Sequence, residues 1–316
     1  MIEVAAGILT DRQGRVLLMQ RLPGKHLAGL WEFPGGKLEM GETIGQALAR
    51  ELHEELGVEV RACAPLISLP WRYPDKSVRL HALRVTAWDG EPHAREGHPL
   101  RWVGIPEMNV AKMPAADLPI VTALRLPAYY VIADKKGSGT FSAGREGGRQ
   151  TGSTNVPAPF LVQLRMPGTR REDVRRIAAA SLAADPLLRG RLLVNHDIEL
   201  ARELGIGVQL QSRQLRDLRE RPLPTTSWVG ASCHDAGELE DAARLGADFA
   251  ALSPVQTTVS HPDAQPLGWG GFARLVADAR LPVYALGGVG PADLERARAA
   301  GAQGVAGIRA FAPAFA

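Results

Sequence analysis

GKLEMGETIGQALARELHEELGV, residues 36–58, carries the densest patterning in the 316-residue chain. Gly36 is followed after five residues by Glu42, and after seven more by Arg50-Glu51-Leu52, with Glu54, Glu55, Gly57 and Val58 behind them. Gly35-Gly36 makes a turn whose backbone can approach a ligand closely. Thr43 can cap a helix beginning near Ile44, and Gly57 ends it where a left-handed residue is wanted. On that helix Glu51, Glu54 and Glu55 fall at i, i+3 and i+4 and share one face. Ile44, Ala47, Leu48, Leu52 and Leu56 line another face and can anchor the helix to a core.

Crowded carboxylates raise one another's pKa values, so such a face is unfavourable unless a cation neutralises it. Hard divalent ions such as Mg²⁺ or Mn²⁺ suit carboxylate oxygens and bring phosphates with them. Arg50 and Glu42 lie on either side of the cluster and can pair to brace the loop against the helix. A charge run usually means only a solvated helix face; here the glycines, the arginine and the full spacing accompany it.

Every one of these positions matches the G-x5-E-x7-R-E-U-x-E-E-x-G-U signature, and the chain here resembles the Nudix hydrolases. Met19-Gln20-Arg21, His26, Leu30 to Thr43, Tyr73-Pro74-Asp75 and Trp88 to Pro92, leading to Glu96-Gly97, are similar to the MutT-type 8-oxo-dGTP diphosphatases. The resemblance covers about the first 126 residues. It implies that the Gly35 carbonyl, Glu51, Glu54, Glu55 and Glu96 hold divalent ions, with Glu96 as ligand or water activator and Arg50 completing the catalytic group. It also places Arg21, His26 and Lys37 near a nucleotide, with Glu32-Phe33-Pro34 shaping the pocket. Arg21 and His26 read equally well as surface charges. Attack on a phosphorus would release a nucleoside monophosphate and pyrophosphate, with the metal polarising the phosphate and acidifying its water.

One position departs from the family. Asp117 stands where those enzymes carry an asparagine that reads the oxidised purine. An amide offers a donor and an acceptor, whereas an ionised carboxylate only accepts; it can still take hydrogen bonds from a guanine N1–H and amino group. Asp117 can also cap a helix beginning near Pro119.

Val4–Leu9 and Val16–Met19 flank the turn Asp11–Gly14, a hairpin signal. Val78–Ala87 is a further extended run and Pro119–Leu126 a final helix. A mixed sheet between helices, an α/β/α sandwich, is expected for residues 1–126.

Beyond Leu126-Pro127, eight short aliphatic runs alternate with helical segments, at 129–132, 160–164, 192–194, 207–210, 228–231, 249–252, 283–286 and 304–307. That pattern predicts a (β/α)8 TIM barrel over residues 127–316. Val162–Arg165, Gly246–Phe249, Ser253–Val255 and Leu281–Val289 resemble thiamine phosphate synthase and its relative TenI, the thiazole tautomerase. The resemblance implies backbone binding of a thiazole or thiamine phosphate at Gly287, Gly288, Gly307 and Ile308, and an acid–base role for His234. Those glycines also suit tight strand-to-helix turns. Met166 replaces a synthase lysine, and Asn195-His196-Asp197 replaces an Asn-Asp pair, so the pyrophosphate-magnesium equipment is depleted. Residues 135–159, rich in Gly, Ser and Thr, interrupt the barrel where its first helix belongs and are expected to be flexible. A barrel short of a helix leaves room for a partner chain, so a homo-oligomer stays open.

The two cysteines, Cys63 and Cys233, lie in different domains without disulfide or zinc spacing, as expected of a reducing cytoplasm. No secretory or membrane-spanning run is found, because the apolar N-terminal stretch is interrupted at Glu3. The net charge of +3 comes from scattered arginines, so acidic nucleotide substrates are expected rather than nucleic acid. The expected activity is Mg²⁺-dependent hydrolysis of 8-oxo-dGTP. The alternatives are a thiamine-pathway diphosphate as substrate, or a barrel that acts as a tautomerase or a thiazole-phosphate module regulating the hydrolase.

Overall fold

The computed structural model describes residues 1–134, 159–258 and 264–314, so the interruption expected at 135–159 lies almost wholly outside the described residues. The chain divides into two compact units, Met1–Arg125 and Leu126–Ala316.

In the first unit β1 (Ile2–Leu9) runs parallel to β6 (Ser77–Asp89) and antiparallel to β4 (Gly35–Lys37), and β5 (Glu59–Arg72) closes the sheet in the order β4-β1-β6-β5. A second sheet orders β3 (Trp31–Glu32), β2 (Arg15–Gln20) and β7 (Leu100–Gly104). Alternation along β1 sends its side chains to two cores. Ala5 and Leu9 meet Ala47, Leu48, Leu52 and Leu56 of helix α1 (Ile44–Leu56). Ala6 and Ile8 meet Ile120, Val121, Ala123 and Leu124 of α2 (Leu118–Arg125). Each fully buried leucine contributes roughly 1.5–3 kcal/mol. The mixed sheet between helices is the expected sandwich.

The expected hairpin of β1 and β2 forms only as a turn. Asp11 Oδ1 accepts from the backbone N–H of Gln13 at 3.0 Å and of Arg15 at 2.8 Å, shaping the reversal. Among the described residues the strands share one isolated bridge, Thr10 with Val16, and then enter different sheets. β6 takes one edge of β1 along its whole length, and β4 with the preceding Pro34 carbonyl takes the other from Val4 to Gly7.

The second unit is a closed barrel of parallel strands, in the order β10-β11-β12-β13-β14-β15-β8-β9. They are β8 (Tyr129–Ala133), β9 (Leu161–Leu164), β10 (Leu192–Asn195), β11 (Gly207–Leu210), β12 (Val229–Cys233), β13 (Phe249–Leu252), β14 (Val283–Leu286) and β15 (Gly304–Gly307). Each falls on one of the eight aliphatic runs. Outward residues pack under helices α3 (Arg171–Ala184), α4 (Ile198–Leu204), α5 (Ser212–Asp217), α6 (Ala236–Leu245), α7 (Gly268–Val276) and α8 (Leu294–Ala299). Inward, Tyr130, Phe249 and Tyr284 form a buried aromatic layer, their rings 5.3–5.7 Å apart.

Candidate active site

The acidic helix is built as its sequence predicts. Thr43 caps α1 in a capping box with Gln46, and Gly57 ends it in the left-handed conformation at φ 69°. Gly35 has φ 141°, and a Cβ there would overlap the Ala5 carbonyl; a Cβ on Gly36 would overlap the Glu51 carboxylate. The glycine pair therefore brings bare backbone directly beneath the carboxylates, and the Gly35 N–H donates to Glu55 Oε2 at 2.9 Å.

Arg50 braces this arrangement. Its Nε and Nη2 donate to the two Glu42 oxygens at 2.8 and 3.0 Å, and Nη2 also donates to the Lys37 carbonyl at 3.0 Å. Nη1 meets Glu51 Oε1 at 3.0 Å and Glu54 Oε2 at 3.3 Å. These hydrogen bonds hold the guanidinium firmly charged.

Glu55 differs from its neighbours. Burial pushes its carboxyl up to about 8, and the charges of Glu51, Glu32 and Glu96 add to the effect against the Gly35 hydrogen bond. Among the described residues no three acidic, histidine or cysteine side chains stand in ready ligating geometry. Arg50 draws Glu51 and Glu54 to itself, and Glu55 is engaged by Gly35. The charges of Glu51, Glu32 and Glu96 acting on Glu55 leave a surplus of carboxylate oxygen and negative charge, which fits a hard divalent cation.

Beside this face lies a cavity of about 250 Å³. Arg21, His26, Glu32, Phe33, Gly35, Lys37 and Asp117 all line it; Pro34 does not, its carbonyl accepting instead from the Gly7 N–H at 2.8 Å. Arg21 pairs with Glu32 and donates through Nε to the His26 carbonyl at 2.6 Å. The His26 ring meets Tyr73 edge-on at 5.5 Å, and Lys76 Nζ lies 5.6 Å from the Tyr73 centroid. Tyr73 and Lys76, together with Val78 and Leu80 of β6, are lining residues that the sequence reading left unassigned. The alternation of Val78 and Leu80 on an extended run was the available signal.

Asp117 is only 7% exposed, and its Oδ2 has no hydrogen-bond partner. Burial, reinforced by the Glu32 charge and opposed by Arg21, holds its carboxyl well above the usual carboxylate range. Burial likewise raises Glu32.

In the barrel, Gly287 and Gly288 follow β14 with positive φ, packed against Pro254 and the Thr257 carbonyl; Gly307 ends β15 against the Phe311 ring and Ile308 follows it. Close approach at these glycines is made by the chain itself. His234 follows β12, exposed, its Nδ1 2.9 Å from Glu238 Oε2. A polar chain that the sequence reading did not identify crosses the barrel interior. Tyr130 Oη donates to Gln209 Oε1 at 2.8 Å, Gln209 Nε2 to Ser232 Oγ at 3.1 Å, and Gln163 Nε2 to Asn195 Oδ1 at 2.9 Å.

A mixed-sheet sandwich in which a glycine turn feeds a carboxylate-bearing helix is the fold of a Nudix hydrolase. Comparison with known proteins agrees: residues 2–124 match the family described as NUDIX domain, and residues 157–311 the family described as thiamine monophosphate synthase. The 8-oxo-dGTP diphosphatase of Escherichia coli is 35% identical over 124 residues, 39% of this chain and 96% of that protein. The CTP pyrophosphohydrolase of the same organism is 40% identical over 123 residues, 39% of this chain and 90% of that protein. The putative thiamine-phosphate synthase 2 of Aquifex aeolicus is 32% identical over 191 residues, 60% of this chain and 99% of that protein. The chain therefore belongs to the Nudix hydrolases through its first unit and to the thiamine monophosphate synthase family through its second. No helix among the described residues is long and apolar enough to cross a membrane.

Proposed function

We propose that the first unit is a Mg²⁺- or Mn²⁺-dependent diphosphatase, acting in the cytoplasm, that converts 8-oxo-dGTP to 8-oxo-dGMP and pyrophosphate and so keeps oxidised purines out of the nucleotide pool. The observation that carries this reading is Asp117, a buried carboxyl with an unpartnered oxygen in the cavity wall. Its environment favours the protonated form, which offers one O–H donor and one acceptor, as an amide does. The edge of 8-oxoguanine presents an N7–H donor beside the O6 acceptor and matches that pair. Guanine presents two acceptors at N7 and O6, and one of them goes unmet.

The remaining residues take roles by position. Glu51, Glu54, Glu55, Glu96 and the Gly35 carbonyl would hold the ion, which when bound polarises phosphate and lowers the pKa of water. Arg50 keeps the loop on the helix, and Lys37 and Arg21 add positive charge near the phosphates and the base. As water oxygen bonds to phosphorus, the bridging P–O bond breaks and pyrophosphate departs, with a carboxylate of this set taking the water proton. For the barrel, the match to the thiamine monophosphate synthase family supports a thiazole or thiamine phosphate as ligand.

The test is pyrophosphate release by the full-length protein with Mg²⁺ on 8-oxo-dGTP, dGTP and CTP, together with AMP release from ADP-ribose and phosphate release from thiamine diphosphate. A kcat/KM for 8-oxo-dGTP about 10- to 150-fold above that for dGTP is expected from a hydrogen-bonded pair worth about 1.5–3 kcal/mol. Preference for CTP, whose N3 and amino group also match a neutral carboxyl, or for thiamine diphosphate would overturn the assignment.

A further inference from the structure

The segment that carries Glu96 is fastened to the C-terminal turn of the same helix that carries Glu51, Glu54 and Glu55. The last carbonyls of a helix have no partner within it, and here the chain after β6 supplies them. The His93 N–H donates to the Leu56 carbonyl at 3.1 Å and the Arg95 N–H to the Glu55 carbonyl at 3.0 Å. The Arg95 side chain goes further, its Nη1 donating to the His53 carbonyl at 2.9 Å and lying 3.3 Å from His53 Nε2. A guanidinium at a helix C-terminus is also favoured by the helix dipole. The approach is tight, because a Cβ on Gly57 would overlap the His93 ring and come within 3.2 Å of Arg95 Cδ. Glu96 is the next residue, 56% exposed, with His98 Nε2 3.6 Å from its Oε2. Its charge is felt at Glu55. Arg95 is not among the cavity-lining residues.

We propose that Arg95 is a positioning residue: by clamping its loop to the end of α1 it makes Glu96 part of one rigid body with the three helix carboxylates. A flexible loop would leave Glu96 to be ordered anew at each binding event, an entropic cost that the clamp has already met at folding. This inference rests on the reading of Glu96 as a member of the ion-binding set.

The experiment compares full-length wild type with Arg95→Ala, Arg95→Lys, Glu96→Gln and the Arg95→Ala/Glu96→Gln double variant. Mn²⁺ affinity without nucleotide is read by electron paramagnetic resonance, amide exchange is followed over residues 90–97 and 44–52, and kcat and KM are measured at saturating Mg²⁺. Arg95→Ala is expected to speed exchange in 90–97 about tenfold or more, leave 44–52 protected, weaken Mn²⁺ binding severalfold and lower kcat with KM for nucleotide unchanged. Arg95→Lys, which keeps a donor and the charge, should recover most of each loss. The double variant should bind Mn²⁺ no worse than Glu96→Gln alone, because the arginine acts through that carboxylate. Additive losses, wild-type Mn²⁺ affinity in Arg95→Ala, or loss of protection across α1 would each overturn the proposal. If Glu96→Gln itself changes neither Mn²⁺ affinity nor kcat, the underlying reading of Glu96 fails and this inference with it. If Glu96→Gln weakens both and Arg95→Ala neither, the inference alone fails.

Discussion

Replacing Asp117 by asparagine or by leucine separates its hydrogen-bonding pattern from its charge. In the protein its carboxyl is buried, with Oδ2 unpartnered and Glu32 and Arg21 near enough to act on it electrostatically. Asparagine keeps one donor and one acceptor at every pH, while leucine of similar bulk keeps neither. Losing the paired contact to this buried group costs about 1.5–3 kcal/mol, so Asp117→Leu should lower kcat/KM for 8-oxo-dGTP about 10- to 150-fold. The effect on dGTP, which cannot satisfy both groups through N7 and O6, should be smaller. Asp117→Asn should keep the wild-type preference and hold it across the pH range. In the wild type the preference should fall as pH rises through the elevated pKa of Asp117, because the ionised form has lost its O–H. The assay is kcat/KM for both nucleotides from pH 6 to 9. A leucine variant as selective as wild type, or an asparagine variant that loses selectivity at neutral pH, would refute the reasoning.

The same carboxyl is linked to stability. Its folded pKa lies above the ordinary value of 3.8, so its full contribution is present below that value and is lost as pH rises toward the folded pKa. The melting temperature of Asp117→Asn should therefore match wild type below about pH 3.8 and exceed it increasingly as pH rises toward neutrality. A constant difference at all pH values would contradict the linkage.

Glu55→Gln should remove nearly all hydrolysis at saturating Mg²⁺ while leaving the thermal transition intact, since it deletes a negative oxygen from the acidic set and disturbs no apolar contact; retained turnover would show the set to be wrongly assigned. Because Glu55 is pushed up to about 8, Mg²⁺ binding at pH 7 should release a proton and tighten as pH rises toward that value, seen by calorimetry in buffers of different ionisation enthalpy; binding without proton release would argue against Glu55 as a ligand. Gly36→Ala forces a Cβ into the Glu51 carboxylate and should lower kcat more than tenfold with a stability loss of about 1–3 kcal/mol, read from kinetics and denaturant melts; wild-type kcat would mean that the close approach is not needed. His234→Ala should leave nucleotide hydrolysis unchanged and abolish any turnover of a thiazole carboxylate phosphate by the barrel; persistence of that turnover would remove the acid–base role.

Much of this architecture was legible because it follows from local pattern. α1 was readable from its two caps and its apolar face, and the barrel strands from eight aliphatic runs that the structure uses as strands. What escaped was set by distant partners. β5 is a 14-residue strand containing Pro65 and Pro70, which break the alternation that marks a strand. The sheet tolerates them because β5 lies at its edge and changes register around Pro65. The β1–β2 turn signal was real, but pairing was decided by β4 and β6, which reach β1 from elsewhere in the chain.

The site divides in the same way. The carboxylates were fixed by helical spacing, whereas their electrostatic character was not. Glu54 and Glu55 are neighbours in sequence, yet Glu54 is half exposed and drawn to Arg50, while Glu55 is partly buried against the glycine turn and raised to about 8. Asp117 shows the consequence most sharply. As a letter in the sequence it stood for an acceptor-only carboxylate, which put recognition of 8-oxoguanine in doubt while leaving hydrogen bonds from a guanine N1–H and amino group open. In the fold, burial and the nearby Glu32 charge push the carboxyl toward the protonated acid, which carries a donor beside its acceptor as an amide does. Chemistry at that position belongs to the residue together with its surroundings, and the surroundings are assembled from β1, β6 and the 3-10 turn at Ala115–Asp117, segments that sequence spacing alone does not bring together.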